Sequence, residues 1–362
     1  MDAVAEIKAR LNIEDVIGEY VRLKRTGRNF KGLSPWTNER TPSFIVSPEK
    51  QIWHDFSSGK GGDMFSFVME VEGLDFRATL EMLARKAGVD LNQYGRRGDN
   101  GAGKRKARAL EALEQAAKFY QRQLVANRPA LDYLRKKRGF SRETILAWRL
   151  GYAPQTSDAL TEFLTKHGFT ADEMRAAGLV TMRRGGAGDM FRGRIMIPLA
   201  DHSGAIIGFT ARLLAEKADA PKYINTPATA VYDKSRHIFG LHLAKESIRK
   251  TGFVVVAEGN LDVITSHQHG VANVVASAGT AITQYHLKTL KRFTGDVRLS
   301  FDADSAGAAA TERVIPLANA AEISLGIVNL NGAKDPDELI RKDVELWKQA
   351  IKEAQYAPDW LM

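Results

Sequence analysis

The chain has 362 residues, of which 44% are hydrophobic and 26% charged, with a net charge of +9 and no cysteine. That size admits two or three domains. The missing thiols exclude disulfides and thiolate metal sites, and no apolar run reaches the roughly 18 residues a membrane span needs. The sequence pI is about 9.5, so a polyanionic partner is favoured, nucleic acid ahead of an acidic membrane surface. The opening Met1-Asp2-Ala3-Val4-Ala5-Glu6 is not a signal peptide, which leaves the cytoplasm as the expected compartment.

Residues 1–94 read as a first unit. Asn12 and Asp15 fit a capping box with Asp in place of Glu, and Ile13, Val16, Ile17 and Tyr20 follow at helical spacing. Tyr20–Lys24, Ser43–Ser47 and Gln51–Phe56 are strand-like runs separated by turn residues. Asp63 and Asp75 are expected to cap two closing helices. Residues 95–108 are glycine-rich and basic without apolar period, the composition of a flexible linker; their charges fit a solvated tether as well as a nucleic-acid contact.

From about 109 to 178 the pattern is helical, with Leu110, Leu113, Ala117, Tyr120 and Leu124 on one face and Ser141 capping a helix that runs to Trp148. Arg194–Ala200 and Ala205–Leu213 read as a hairpin around Asp201-His202-Ser203-Gly204. Strand-like runs near 253–257, 272–276, 297–301 and 323–328 then alternate with helical segments, the signature of a parallel sheet. A helical tail is expected from 336 to 362.

Two of those strands end in carboxylates: Glu258-Gly259 after the first, Asp302-Ala303-Asp304 after the third. Parallel sheets place their sites at the carboxyl ends of strands, and converging carboxylates there suit hard Mg²⁺. Taken singly, each motif has a plainer reading: a glutamate favourable at a helix N-terminus, an Asp pair serving as turn or cap, and Asp335-Pro336-Asp337 weaker still. On one basic chain and in this order they point to phosphoryl transfer on nucleic acid.

Glu-Gly ending one strand and Asp-x-Asp ending a later one resembles the Toprim domain of primases, some topoisomerases and certain nucleases. Glu258-Gly259-Asn260-Leu261-Asp262-Val263, Asp302-Ala303-Asp304-Ser305-Ala306-Gly307 and Lys334-Asp335-Pro336-Asp337 are similar to stretches of bacterial DnaG-type primases. So are Phe191-Arg192-Gly193-Arg194-Ile195-Met196-Ile197-Pro198, Gly208-Phe209-Thr210-Ala211-Arg212 and Pro221-Lys222-Tyr223-Ile224-Asn225-Thr226-Pro227.

The resemblance implies an α+β and α/β multidomain fold. A small zinc-ribbon-like, template-binding β domain with flanking helices would occupy 1–94, followed by the linker 95–108. A mixed α/β N-terminal subdomain of the RNA polymerase core (109–250), a Toprim catalytic parallel sheet (251–335) and a helical segment (336–362) would complete it. It implies RNA-primer synthesis on single-stranded DNA from ribonucleoside triphosphates. Two or more Mg²⁺ or Mn²⁺ ions would be held by Glu258, Asp302 and Asp304, with Asp262, Asp335 and Asp337 assisting. Arg192, Arg194, Arg212, Lys222, Tyr223, Asn225 and Lys234 become contacts to template and nucleotide, the arginines on exposed hairpin surface. The rivals are another Toprim enzyme such as a nuclease, and a non-catalytic single-strand-binding scaffold. The family also usually carries a C-terminal domain that binds the replicative helicase, and this chain stops at Met362.

One departure stands out. The family's N-terminal domain holds zinc through three Cys and one His, and here the ligand positions fall on Ser34, Thr37, Asp55 and Ser58. Hydroxyls are poor zinc ligands, so this unit is expected to fold without zinc. Phe30, Trp36, Phe44, Ile52, Trp53, Phe56, Phe65 and Phe67 would supply an apolar cluster, with hydrogen bonds among the former ligand positions.

Overall fold

Alternating apolar and polar residues build an N-terminal ribbon of short strands. The computed structural model describes residues 3–91, 94, 100–184, 186–215, 220–301 and 305–357. The chain divides into two compact units, Met1–Gly103 and Lys104–Met362.

In the first unit β1 (Lys24–Thr26), β2 (Asn29–Gly32), β3 (Phe44–Ser47), β4 (Ile52–Asp55) and β5 (Lys60–Gly62) form an antiparallel sheet in that order. Phe44, Val46 and Trp53 point inward and are buried. The helices Met64–Glu72 and Phe76–Ala87 begin where expected, because the carboxylates of Asp63 and Asp75 accept the amides of Ser66 and Ala78.

Three local expectations change. Residues 20–23 are not strand, because the amides of Tyr20 and Val21 both donate to the Ile17 carbonyl and continue the helical turn. Asn12 makes no side-chain cap; its amide donates to Asp15 Oδ2 at 2.9 Å instead. The aromatic cluster forms from Trp36, Phe44, Trp53 and Phe67, with Trp36–Trp53 and Phe44–Trp53 ring centroids at 5.2 and 5.5 Å. Ile52 and Phe56 stay outside it, 44% and 67% exposed. Ile52 lies on the outer side of β4, and Phe56 follows the strand's end.

The helix Asn100–Ala126, most of which belongs to the second unit, begins inside the stretch expected as a linker. Residues 100–108 are therefore helical; Lys104 to Arg108 are good helix formers, and Arg108 is anchored to Glu173 at 2.7 Å. Residues 95–99 lie outside the described ones.

β6 (Gly151–Ala153), a short strand the helical pattern hid, pairs with β9 (Arg194–Ala200). A hairpin of β7 (Val180–Arg183) and β8 (Gly186–Asp189) stands apart from that sheet. β9, β10 (Ile206–Leu213) and β11 (Tyr223–Asn225) complete an antiparallel sheet of order β11-β10-β9-β6. One face packs Ile195, Ile197 and Leu199 with Val255, Leu261 and Val263; the other packs Met196, Phe209 and Ala211 with the helix residues Leu113 and Tyr120.

β12 (Phe253–Ala257), β13 (Val274–Ala276), β14 (Asp296–Ser300) and β15 (Ser324–Ile327) form the expected parallel sheet, in the order β13-β12-β14-β15. The tail holds the helices Pro336–Lys342 and Val344–Lys352. It then departs from an all-helical reading, because β16 (Gln355–Tyr356) adds antiparallel to β15. Among the described residues no helix is long and apolar enough to cross a membrane.

Candidate active site and nucleic-acid interface

The parallel register Ala257↔Ser300 brings the chain out of β12 and β14 at one edge of the sheet. Glu258 therefore follows β12 at the edge where β14 ends at Ser300; Asp302 and Asp304 lie outside the described residues. Asp262 sits in the first turn of the helix Asn260–Gln268 and is 8% exposed. Its carboxylate folds against the backbone: a Cβ at Gly259 would lie 2.4 Å from Asp262 Oδ2. The glycine is needed there for close approach, not for its dihedral, which is extended.

Two buried polar atoms at this edge have no partner, Asn260 Oδ1 and Ser300 Oγ. Buried polar atoms are normally satisfied, so oxygen donors left open beside Glu258 and Asp262 fit a hard divalent cation. Among the described residues no group of three His, Asp or Glu is close enough to hold a metal by itself.

Asp335 and Asp337 part company. Asp335 caps the helix Pro336–Lys342 by accepting the Glu338 amide at 2.8 Å. Asp337 is 2% exposed and both its oxygens are taken. Oδ1 accepts from Thr265 Oγ1 at 2.7 Å, and Oδ2 faces Arg138 at 2.9 Å and also Arg341. Asp337 thus departs from the expectation of an open metal ligand: its carboxylate ties together three segments, and each of its oxygens already holds a partner. Burial pulls the Arg138 guanidinium down, but the Tyr133 hydroxyl and the Asp337 charge outweigh it and hold it above its ordinary value.

The basic residues also divide. Arg192, Lys222 and Tyr223 are exposed. Arg194 and Arg212 are only 6% and 5% exposed, so the expectation that they lie on hairpin surface is wrong. Arg194 Nη1 donates to the carbonyls of Ala211 and Lys222, both at 3.3 Å, and burial lowers its pKa. Arg212 lies over the Tyr133 ring at 4.8 Å and near the Tyr223 ring at 6.0 Å, with its Nε unpartnered.

The pairings Arg212↔Tyr223 and Thr210↔Asn225 align these four side chains on one sheet face. Thr210 accepts from Asn260 Nδ2 at 3.0 Å, which ties that face to the carboxylate edge. Asn225 reaches the Ala278 carbonyl at 3.5 Å while its Oδ1 is open. Ala278 itself has φ +54°, a left-handed backbone that a residue with a Cβ adopts at a cost. Lys234 is half-buried.

Sequence reasoning missed Asn260, Thr210, Ser300, Arg138 and Ala278. Asn260 and Thr210 carried a local signal, their places inside the Glu258–Val263 and Gly208–Arg212 motifs. The others act through contacts distant in sequence.

A salt titration separates the two classes of basic residue. Lys222→Ala and Arg192→Ala should each make the dependence of log affinity for single-stranded DNA on log salt shallower by about one unit. Arg194→Ala should leave that slope alone and destabilise the sheet by roughly 1–3 kcal/mol, because the buried guanidinium's bonds to two carbonyls are lost. Equal slope changes in all three variants would contradict the division.

In the first unit, Lys24, Lys31, Ile45, His54 and Gly61 lie directly opposite one another across the five strands. The His54 ring stands 4.4 Å from that of Phe56, and both are exposed. Cations beside exposed rings are what single-stranded nucleic acid uses for phosphate contact and stacking. On the opposite side, the former ligand positions meet. Asp55 is fully buried, and its carboxylate accepts from Ser34 Oγ at 2.7 Å, Ser58 Oγ at 2.5 Å, Ser57 Oγ at 3.0 Å and Ser43 Oγ at 3.1 Å. Thr37 joins by sharing a hydrogen bond with Ser57 at 2.8 Å. Burial pushes the Asp55 carboxyl up; bonds from Ser58, Ser34 and Ser57 outweigh it and hold it below the ordinary aspartate value.

Comparison with known proteins finds three family matches along the chain. Residues 1–98 match the CHC2 zinc finger, 119–245 the N-terminal domain of the DNA primase catalytic core, and 255–340 the Toprim-like family. The chain is 40% identical over 347 residues to a DNA primase of Geobacillus stearothermophilus, covering 94% of this chain and 58% of that protein. It is 37% identical over 363 residues to a DNA primase of Listeria monocytogenes, covering 97% and 58%. The chain thus spans less than two thirds of the length of these curated relatives. Among solved structures, the zinc-binding and RNA polymerase domains of the Aquifex aeolicus primase superpose with TM-score 0.65 at 34% identity, covering 98% of this chain and 86% of that one. A DnaG primase catalytic domain bound to single-stranded DNA superposes with TM-score 0.63 at 30% identity, covering 70% and 81%.

Proposed function

The chain belongs to the DnaG-type DNA primases, and from that premise we propose that it starts RNA chains on single-stranded DNA from ribonucleoside triphosphates during replication. The observation that carries this reading is the carboxylate edge of Glu258 and Asp262, with the open oxygens of Asn260 and Ser300, tied through Thr210 to the face that bears Arg212 and Tyr223. The ligand set for divalent cations, Mg²⁺ or Mn²⁺, is Glu258, Asp302, Asp304 and Asp262, with Asp335 at its margin. Bound there, such ions supply charge stabilisation for nucleotidyl transfer.

The chain's own residues do the positioning. Lys222 and Arg192 take phosphates, and Tyr223 offers a ring for stacking beside Arg212. The outer face of the N-terminal ribbon holds template. A replicative helicase is the expected protein partner, the N-terminal unit needs no zinc, and the setting is the cytoplasm.

Ribonucleotide incorporation on unprimed single-stranded templates tests the reading. Short RNA products are expected. Template cleavage would instead favour a Toprim nuclease, and DNA binding with neither product a scaffold. Phe56→Ala should weaken binding of single-stranded DNA by roughly 1–3 kcal/mol, the contribution of a stacked base. Unchanged affinity in a fluorescence-anisotropy titration would remove the ribbon face from the template path.

A further inference from the structure

The zinc-finger description that residues 1–98 match implies a metal that the residues present do not fit. Three hydroxyls and one carboxylate stand at the ligand positions, and structural zinc sites are built from Cys and His. We propose that Asp55 is itself the cross-link: one buried anion gathers hydroxyls from the loops on either side of it and does the structural work of the missing cation.

The polarity of the site is inverted. A zinc site places a cation at the centre and anionic or lone-pair donors around it. Here the centre is the Asp55 carboxylate, and what surrounds it are O–H donors from Ser34, Ser57 and Ser58, with the Ser43 hydroxyl, whose one proton is shared with Glu39, at 3.1 Å. Among the described residues Asp55 has no cationic partner, so its burial is compensated by hydrogen bonds alone. A carboxylate offers about four lone-pair sites; Ser34, Ser57 and Ser58 occupy three, and the fourth faces the hydroxyl that Ser43 shares with Glu39.

The second layer extends the same logic. Ser34 Oγ, having donated to Asp55, accepts the amides of Trp36 at 3.1 Å and Thr37 at 3.2 Å. Glu39 accepts the amides of Ser34 at 2.7 Å and Ser43 at 3.1 Å and the Ser43 hydroxyl at 2.6 Å. Both the β2–β3 and β4–β5 connections are thus pinned to the end of β4. Trp36, which stacks on Trp53, is held in the loop that the hub fixes. A bound zinc would have to displace hydroxyl donors and leave that loop's amides without acceptors.

Hydrogen exchange on the full chain tests this without reference to primer synthesis. Asp55→Asn keeps the shape but turns one acceptor into a donor facing hydroxyls. Exchange of the Trp36, Thr37 and Ser43 amides should accelerate by roughly tenfold or more, with the amides of β9 and β10 unchanged as an internal control. Ser58→Ala, a milder change, should accelerate the same amides less. Wild-type protein should contain no stoichiometric zinc by elemental analysis, and a chelator should leave its exchange pattern as it was. The combined replacement Ser34→Cys, Thr37→His, Asp55→Cys and Ser58→Cys puts a cation where the anion sits. It should take up one zinc ion per chain and regain protection of these amides only with zinc. Stoichiometric zinc in the wild type, or wild-type protection in both Asp55→Asn and Ser58→Ala, would overturn the proposal. A combined variant that binds no zinc would overturn the equivalence of the two centres.

Discussion

Glu258→Gln is expected to reduce primer synthesis by more than about a hundredfold while leaving affinity for single-stranded DNA unchanged or slightly tighter. The substitution keeps the side chain's size at the end of β12 and removes only its charge. Replacing a group that merely orients a metal ligand costs roughly 10–100-fold, so neutralising a ligand itself should exceed that range. DNA affinity comes mainly from Lys and Arg at phosphates, and one anion fewer beside the template does not oppose it. Asp302→Ala and Asp304→Ala should behave alike. The check is a paired measurement of ribonucleotide incorporation and DNA binding on the same preparations. Near wild-type synthesis in any of the three variants would remove that residue from the metal site.

Asp337→Ala should destabilise the second unit by about 3–5 kcal/mol, the cost of stripping one partner from a buried ion pair. The Arg138 side chain, 17% exposed, would keep its charge and lose its anion, and Thr265 would lose its acceptor. For a domain of this size that corresponds to a fall in melting temperature of roughly 6 °C or more. A metal-ligand role predicts the opposite pattern. Relieving repulsion among carboxylates would leave the metal-free protein as stable or more so, with loss confined to activity. Thermal unfolding without added metal separates the two, and an unchanged melting temperature would return Asp337 to the ligand set.

Arg138, Asp337 and Thr265 also tie down the helix that carries Asp262. Thr265 lies on the same helix as Asp262, and Asp337 clamps that helix to the segment ending at Arg138. Arg138 in turn donates to the Tyr133 hydroxyl at 2.8 Å, and the Tyr133 ring carries Arg212. A single run of contacts therefore joins the tail helix to the basic face.

The amino-acid sequence alone determined whatever rests on neighbours along the chain. The caps at Asp63, Asp75 and Ser141 are bonds to an amide three residues on, so a Ser or Asp before an apolar period is enough to place them. The apolar run Phe253–Ala257 ending in Glu258 predicts a buried parallel strand with a carboxylate at its end, because a strand covered on both faces has no polar alternation. The absence of Cys at the zinc positions is legible in the same way. Elements of weak local pattern were lost: β2 and β5 are glycine-bearing and partly exposed, and β6 is three residues inside a helical stretch.

Only the tertiary structure decided the roles of charged and hydroxyl side chains, since charge says nothing about the partner it will meet. Arg194 and Arg212 read as surface cations until the sheet pairing turned them inward onto carbonyls and rings. Arg138 and Asp337 are 199 residues apart, a pairing that no periodicity encodes. Asp55 looked like a failed metal ligand; the register of β4 against β3 brings Ser43 to it, the turn at Ser57-Ser58 brings two more hydroxyls, and Ser34 of the β2–β3 connection makes it a centre. Helix and strand follow from local energetics, whereas a buried polar side chain takes its function from whichever distant group satisfies it.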